Sequence, residues 1–568
     1  MRRTLLGILA FFFVSLPLDA QEWEIERSGV PRDLADRLIR IVNDAATVRF
    51  SEGAAVPVDS AIVGDVVVMG SLRLDGRVEG EVIVVDGDVD LGPNAEVAGN
   101  LTVVGGEVRG DELARIGGAI MAFQAAGPRF LSERTTTDPS GIPNGVGARF
   151  DRDGHTGFEV EFGNYNRLEG LPVALGPSFT AGGRDPFRVG ADLIWRTEGR
   201  APFQHDRLGY KVEAEQFFGG RRELRIGGGL YSHISPIEAW GLTDSENSLS
   251  AFLFTSDQRD YLEARGVHGY LRVTPRKIPV DFRVGYREER TGSVAPQDPW
   301  SMVSRGHPWR DQPVVAEGTI QSVFGELEVD TRDNFEEPRS GWLIRATWEE
   351  GVGGDFSVPS GTLPPLDPQG EPLTVVAPEI GRSFSSAFLD IRRYNSVGRG
   401  SRLNLRGVLG GSPSGEILPP QHQVTLGGAG TLPGHALFAA DCGARNGFLT
   451  LEREEVAQAM VPFYGCDRVA LFQAEYRGSI GEFLGWGGRS RRESGRGSFD
   501  PDPYWVVFFD AGKAWAEGDW GGFARTDSPT LYDAGVGLLL GDLGVYWAKP
   551  FGEGAEGSTL TVRLGRRF

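Results

Sequence analysis

Residues 558–568 read STLTVRLGRRF and end the chain. Leu560, Val562 and Leu564 fall on one face of an extended strand and Phe568 keeps their parity; Arg563 and Arg567 fall on the other face. An apolar face backed by arginines admits two folds. In a soluble sandwich the charged face meets bulk water and the apolar face turns inward. In a transmembrane barrel the apolar face meets lipid and the charged face lines the lumen.

The same alternation runs upstream from about residue 148. Val189, Ala191, Leu193 and Trp195 alternate with Arg188, Asp192 and Arg196; Val323, Leu327 and Val329 alternate with Glu326, Glu328, Asp330 and Arg332. Tyr532, Ala534, Val536, Leu538 and Leu540 alternate with Asp533, Gly535 and Gly537. Such segments, long and unevenly spaced, predict an all-β fold: an antiparallel transmembrane β-barrel of 16 strands, with 14 possible, because an even number returns both ends to one side. Closing the sheet leaves no unpaired edge in hydrocarbon.

Composition narrows the alternatives. The chain has 568 residues, a net charge of −20, 81 glycines and 34 prolines. That much glycine and proline excludes a coiled coil or helical bundle. No basic face marks a nucleic-acid binder. Beyond the N-terminus no apolar run approaches the ~20 residues of a spanning helix.

Residues 1–20, MRRTLLGILAFFFVSLPLDA, pair Arg2 and Arg3 with an apolar run from Leu5 to Leu16 and a cleavage position at Ala20. This predicts a signal peptide and export. Outside the cytoplasm Cys442 and Cys466 can form a disulfide, with two free thiols as the alternative. Residues 31–43 carry Leu34, Leu38, Ile41 and Val42 at helical spacing behind Pro31, which predicts a short helix.

Then the period changes to two. Gly64, Gly80, Gly99 and Gly117 precede successive short β-runs. A period near 18 with Gly, Asp and Asn corners predicts a three-sided β-solenoid; a stack of hairpins is the alternative. Asp86, Asp88 and Asp90 before Gly92 have the alternation of a calcium loop but no distal glutamate, so they read as solvated corner acids. The stretch GDVVVMGSLRLDGRVEGEVIVVDGDVDLGPNAEVAGNLTVVGGEVRG (64–110) resembles bactofilin-like polymer-forming domains. The expected organisation is signal peptide 1–20, helix and linker 21–46, solenoid 47–125, linker 126–147 and barrel 148–568.

Four stretches, in order, resemble the BamA/TamA-type outer-membrane barrel family, the bacterial surface antigen family. They are DTRDN (330–334) followed by PRSGWLIRATWEEG (338–351), QAEYR (473–477), FFDAGKAW (508–515), and YDAGVGLL (532–539) with GVYWAKP (544–550) and the last strand. NYNRLEGL (164–171) is a candidate first strand. The resemblance implies structural or gating roles for Asp330, Arg332 and Asp333 at a strand end and turn. It implies a loop tip at Gly434, lumen acids at Glu475 and Asp510, and a closing strand ending in Phe568. The family's loop carries an arginine that pairs with those acids, but Pro433 stands in its place, with His435 where an aromatic would follow. Either Arg445 or another arginine reaches the acids, or water solvates them, or the loop sits differently. The family's periplasmic POTRA modules have no counterpart here.

No GxSxG elbow, HExxH pair or phosphate loop occurs, and Gly428, Gly430 and Gly434 lack the strand–loop–helix setting of a nucleotide site. The expectation is therefore a non-enzymatic protein without cofactor or metal, in the bacterial outer membrane with its N-terminal part in the periplasm. What the resemblance implies is help with protein or lipid insertion or translocation through a lateral gate. A passive pore or a barrel-anchored envelope scaffold are the alternatives. Expected partners are outer-membrane lipid, client proteins or lipids and a periplasmic partner of the solenoid, and no nucleic acid.

Overall fold

The computed structural model describes residues 47–123 and 146–568 apart from segments within them, among them 199–207, 364–372 and 484–502. The expected signal peptide lies outside the described residues, as does the helix at 31–43 except for Ile41. The chain forms two compact units, Met1–Arg134 and Thr135–Phe568.

The first unit is a three-sided solenoid. One face stacks Val48–Phe50, Val66–Met69, Val82–Val85, Leu101–Val104 and Ile120–Phe123; the other two faces hold four strands each. Every neighbouring pair is parallel, which a hairpin stack could not produce. Val66, Leu72, Leu74, Val82, Val84 and Val97 point inward and fill the core. Gly80 lies against the Gly64 carbonyl so closely that no Cβ fits, and a Cβ on Gly99 would sit 2.8 Å from the Gly80 oxygen. The next glycine in this column is Gly118, not the expected Gly117, because Leu101 pairs with Ile120 and carries Gly118 over Gly99. Beside the column runs a polar ladder. Glu81 N donates to Asp65 Oδ1 (2.7 Å), Asn100 Nδ2 to Glu81 Oε1 (3.1 Å) and Ala119 N to Asn100 Oδ1 (2.9 Å). Asp86 and Asp88 lie outside the described residues, and Asp90 is an exposed strand residue.

The second unit is a single antiparallel sheet of 17 strands. They are β1 (Val146–Asp151), β2 (Thr156–Phe162), β3 (Val173–Thr180), β4 (Phe187–Trp195), β5 (Leu208–Phe218), β6 (Leu224–Pro236), β7 (Tyr261–Val273), β8 (Val280–Gly292) and β9 (Glu317–Asp330). They continue with β10 (Gly341–Ser357), β11 (Phe384–Ser396), β12 (Ser401–Gly411), β13 (Arg468–Ser479), β14 (Tyr504–Trp515), β15 (Leu531–Leu540), β16 (Leu543–Phe551) and β17 (Thr559–Leu564). The sheet has one strand more than the expected 16, with β1 paired to β2 at its edge. NYNRLEGL is not a strand. It is the turn between β2 and β3, closed by Asn166 Oδ1 accepting from Leu168 N and Glu169 N at 2.9 Å each, with Gly170 at φ +67°. Local Asn-to-backbone bonds compete with a ladder and win here.

The sheet is inside out relative to a water-soluble protein. Phe472, Val507, Val536, Trp547, Leu560 and Val562 are 44–69% exposed, while Gln473, Glu475, Arg477, Asp510, Asp533 and Arg563 are 0–4% exposed. Apolar residues thus coat the outside and charges are enclosed, the pattern of a transmembrane barrel. Among the described residues no helix is long and apolar enough to cross a membrane.

Connections alternate between two ends. One end has the short turns 181–186, 219–223, 274–279, 397–400 and 541–542, with one longer connection, 480–503. The other has 237–260, 293–316, 358–383 and 412–467. The sheet curls around segments from these long connections. Arg406 on β12 donates to Trp240 O (3.0 Å), Arg563 on β17 reaches Glu246, and Arg167, in the turn after β2, reaches Asp260. β1 and β17 are the two ends of the sheet, and among the described residues no ladder joins them.

Candidate functional site

Strand parity places Glu475 and Arg477 on the inner face of β13, and Phe508 and Asp510 on the inner face of β14. Glu475 pairs with Arg477 of its own strand. Asp510 pairs with Arg567, which also lies 4.0 Å from Glu475 Oε2. The Arg567 guanidinium sits 3.8 Å above the Phe508 ring. Of the outcomes expected for these acids, other arginines reach them: Arg477 meets Glu475 and Arg567 meets Asp510; Arg445 lies outside the described residues.

That arrangement changes the fate of the terminus. β17 stops at Leu564, and Phe568, expected beside Leu560, Val562 and Leu564 on the lipid face, is 8% exposed whereas Leu560 is 69% exposed. A tail anchored by Arg567 inside the barrel does not continue the outward alternation.

The loop carrying Gly434 docks on β15 instead of on β13 and β14 alone. Gly434 N donates to Asp533 Oδ2 (2.7 Å), and His435 Nε2 lies 3.0 Å from Tyr532 O. A Cβ at Gly434 would stand 2.7 Å from Asp533 Cβ and 3.0 Å from Pro550 N, so only glycine fits without displacement. Gln473 Nε2 holds the same loop through Thr431 O (2.7 Å). Asp533 is directly opposite Asp510 in the ladder. One acid of this pair thus takes the loop's backbone N–H and the other takes Arg567. Cys442 and Cys466 close the base of the loop as a disulfide.

Asp330 and Arg332 are elsewhere. They sit at the turn from β9 to β10, among the short turns. Arg332 forks onto Asp330 there, Nε to Oδ1 at 2.9 Å and Nη2 to Oδ2 at 2.7 Å. Thr331 N donates to Trp342 O (2.8 Å), and Gly341 turns the chain at φ +112°. Asp333 lies outside the described residues. The structure thus brings together Gly434, Glu475 and Asp510 and leaves Asp330 and Arg332 as a turn clasp.

Several interior residues escaped sequence reading. Arg406, fully buried, forks onto Asp390 (Nε to Oδ1 3.1 Å, Nη2 to Oδ2 2.8 Å) and reaches Gln473 Oε1 (3.2 Å). In the connection 237–260, helix α1 (Asp244–Phe254) opens with a capping box between Thr243 and Glu246. The Glu246 carboxylate also receives Arg563 on β17, Nε to Oε1 and Nη2 to Oε2 at 2.9 Å each. Arg167 donates through Nη2 to Asp260 Oδ1 (2.9 Å), and its Nη1 is 3.4 Å from Asp257 Oδ2. Glu238 accepts from Thr425 N (2.7 Å) and Thr425 Oγ1 (2.9 Å); burial pushes its carboxyl up to about 8, against the lowering effect of the Thr425 bonds. A cavity of about 40 Å³ lies between these loops, lined by Glu238, Trp240, Gln258, Arg259, Thr425 and Thr431. It is room for ordered water, not for a solute. Arg406 and Arg563 carried a prior signal, their parity in alternating strands. The rest are single charged residues in loops or on strands, whose partners lie 16 to 317 residues away in sequence.

No family model matches the chain, and no curated protein matches it. Among solved structures it is similar to BamA from Haemophilus ducreyi lacking POTRA domains 1–3, at 13% identity and a TM-score of 0.40, over 74% of this chain and 70% of that one. It is also similar to CdiB from Acinetobacter baumannii, at 9% identity and a TM-score of 0.29, over 72% of this chain and 60% of that one.

Proposed function

We propose that this chain is a non-enzymatic outer-membrane barrel that assists insertion or translocation of proteins or lipids by parting its wall between β17 and the first strands. The observation that carries this reading is the seam: among the described residues the sheet ends at β1 and β17 without a ladder between them, in an otherwise continuous antiparallel wall with an apolar exterior. In such a wall the seam is where the least backbone hydrogen bonding opposes parting. A passive pore is the weaker reading, because residues from two long connections, 237–260 and 412–467, enter the interior against β12, β13 and β17. We place the solenoid on the periplasmic side, as a segment available to partners there.

A depletion strain tests the reading. Wild-type protein should restore its outer-membrane protein or lipid defect. A variant cross-linked between cysteines at Phe158 on β2 and Val562 on β17, both exposed on the outer face, should not, although each single-cysteine parent does. Rescue by the cross-linked protein equal to wild type overturns the gate.

A further inference from the structure

Helix α1 and the segment after it hold the last strand and the turn between β2 and β3 at neighbouring residues. At Glu246 it takes the bidentate fork of Arg563 from β17, with both side chains almost wholly enclosed. Two residues on, Ser248 Oγ accepts from Tyr165 N (2.8 Å) in the turn that joins β2 to β3. One helical turn further, Phe252 meets the Tyr165 ring edge-on, centroids 5.3 Å apart. Asn247 Nδ2 donates to Asp257 Oδ1 (2.9 Å), whose other oxygen accepts from Arg167 N (3.1 Å) in the same turn. The last strand and the first hairpins, which share no ladder among the described residues, are thus joined through one 11-residue helix.

We propose that α1 is a latch on the inner side of the seam: it keeps the last strand and the β2–β3 hairpin together, and parting them requires the Arg563–Glu246 fork or the Tyr165–Ser248 contact to break. A buried, bidentate charged pair is well suited to this, since it is strong when docked and has defined geometry. Its consequence for transport rests on the gate reading above, but the latch itself is a statement about distance and needs no client.

The full chain is labelled with spin probes at Phe158→Cys on β2 and Val562→Cys on β17, both on the outer face and exposed. Cys442 and Cys466 are bonded to each other and take no label. Pulsed dipolar spectroscopy in bilayers then reads the seam. Arg563→Gln should shift or broaden the distance distribution by about one strand spacing, ~5 Å, and Ser248→Ala should move it the same way. Arg272→Gln, which removes a lumen pair with Asp281 away from the seam, should leave it unchanged. If Arg563→Gln does not fold, Ser248→Ala decides. An unchanged distribution in the folded seam variants, or an equal change in Arg272→Gln, overturns the latch. A latch that moves as expected while the cross-linked barrel still rescues the depletion strain would leave α1 as a seam clasp and overturn only the gate.

Discussion

Asp510, Arg567 and Phe508 form the smallest unit on which the interior depends. Removing one member of a buried pair leaves the other charge unsatisfied, at roughly 3–5 kcal/mol. Arg567→Ala should therefore lower the temperature at which the folded barrel loses its compact migration in mild detergent gels. Pairing it with Asp510→Asn should recover most of that loss; no recovery would argue that Arg567 acts through Phe508 alone. Gly434→Ala places a methyl against Asp533 and Pro550 and should destabilise the loop by ~1–3 kcal/mol, read as faster hydrogen exchange at residues near 431–435. Glu238 supplies a pH dependence. Its folded pKa is raised, so its contribution to stability is fully present below the ordinary carboxyl range and is lost as pH rises toward about 8. The thermal midpoint of the wild type should fall from pH 5 to pH 8.5 relative to Glu238→Gln, and parallel profiles would contradict the assignment.

Among the elements, the solenoid corner is the most exacting. Gly80 packs on the Gly64 backbone, which cannot yield as a flexible side chain can. Gly80→Ala should open the neighbouring turns, seen as lost exchange protection across Val66–Met69 and Val82–Val85; unchanged protection would mean that the corner relaxes. The hairpin turn at 164–171 makes the opposite point. The family resemblance made it a candidate first strand, yet Asn166 and Gly170 close it, and Arg167 meets the 257–260 segment. Helix α1 shows how one element can serve two ends: the capping box sets Glu246 at its start, and the same carboxylate meets β17.

Over the whole molecule, the enclosed loops predict little steady conductance. Wild-type protein in planar bilayers should be electrically quiet, and deletion of residues 241–256 should produce a stable open level. A large steady conductance from the wild type would favour the passive-pore reading instead.

The sequence by itself determined the class of the fold. Period-two alternation, together with the export signal and the long, unevenly spaced segments, pointed to an inside-out barrel, because lipid and lumen each select every second residue. The glycine-led repeat at 64–117 pointed to the solenoid, and the inward place of Arg567 followed from parity, whereas those of Glu475 and Asp510 were implied by the family resemblance. Tertiary structure alone decided which charges meet. Arg567 meets Asp510, Gly434 chooses Asp533, and Glu246 crosses the interior to Arg563, 317 residues away in sequence. It also decided that Phe568 is buried and not on the lipid face. The physical reason is range. Side-chain parity is a property of each strand taken singly, whereas the partner of a buried charge is set by how a 17-stranded wall curls and by what its long connections bring inside.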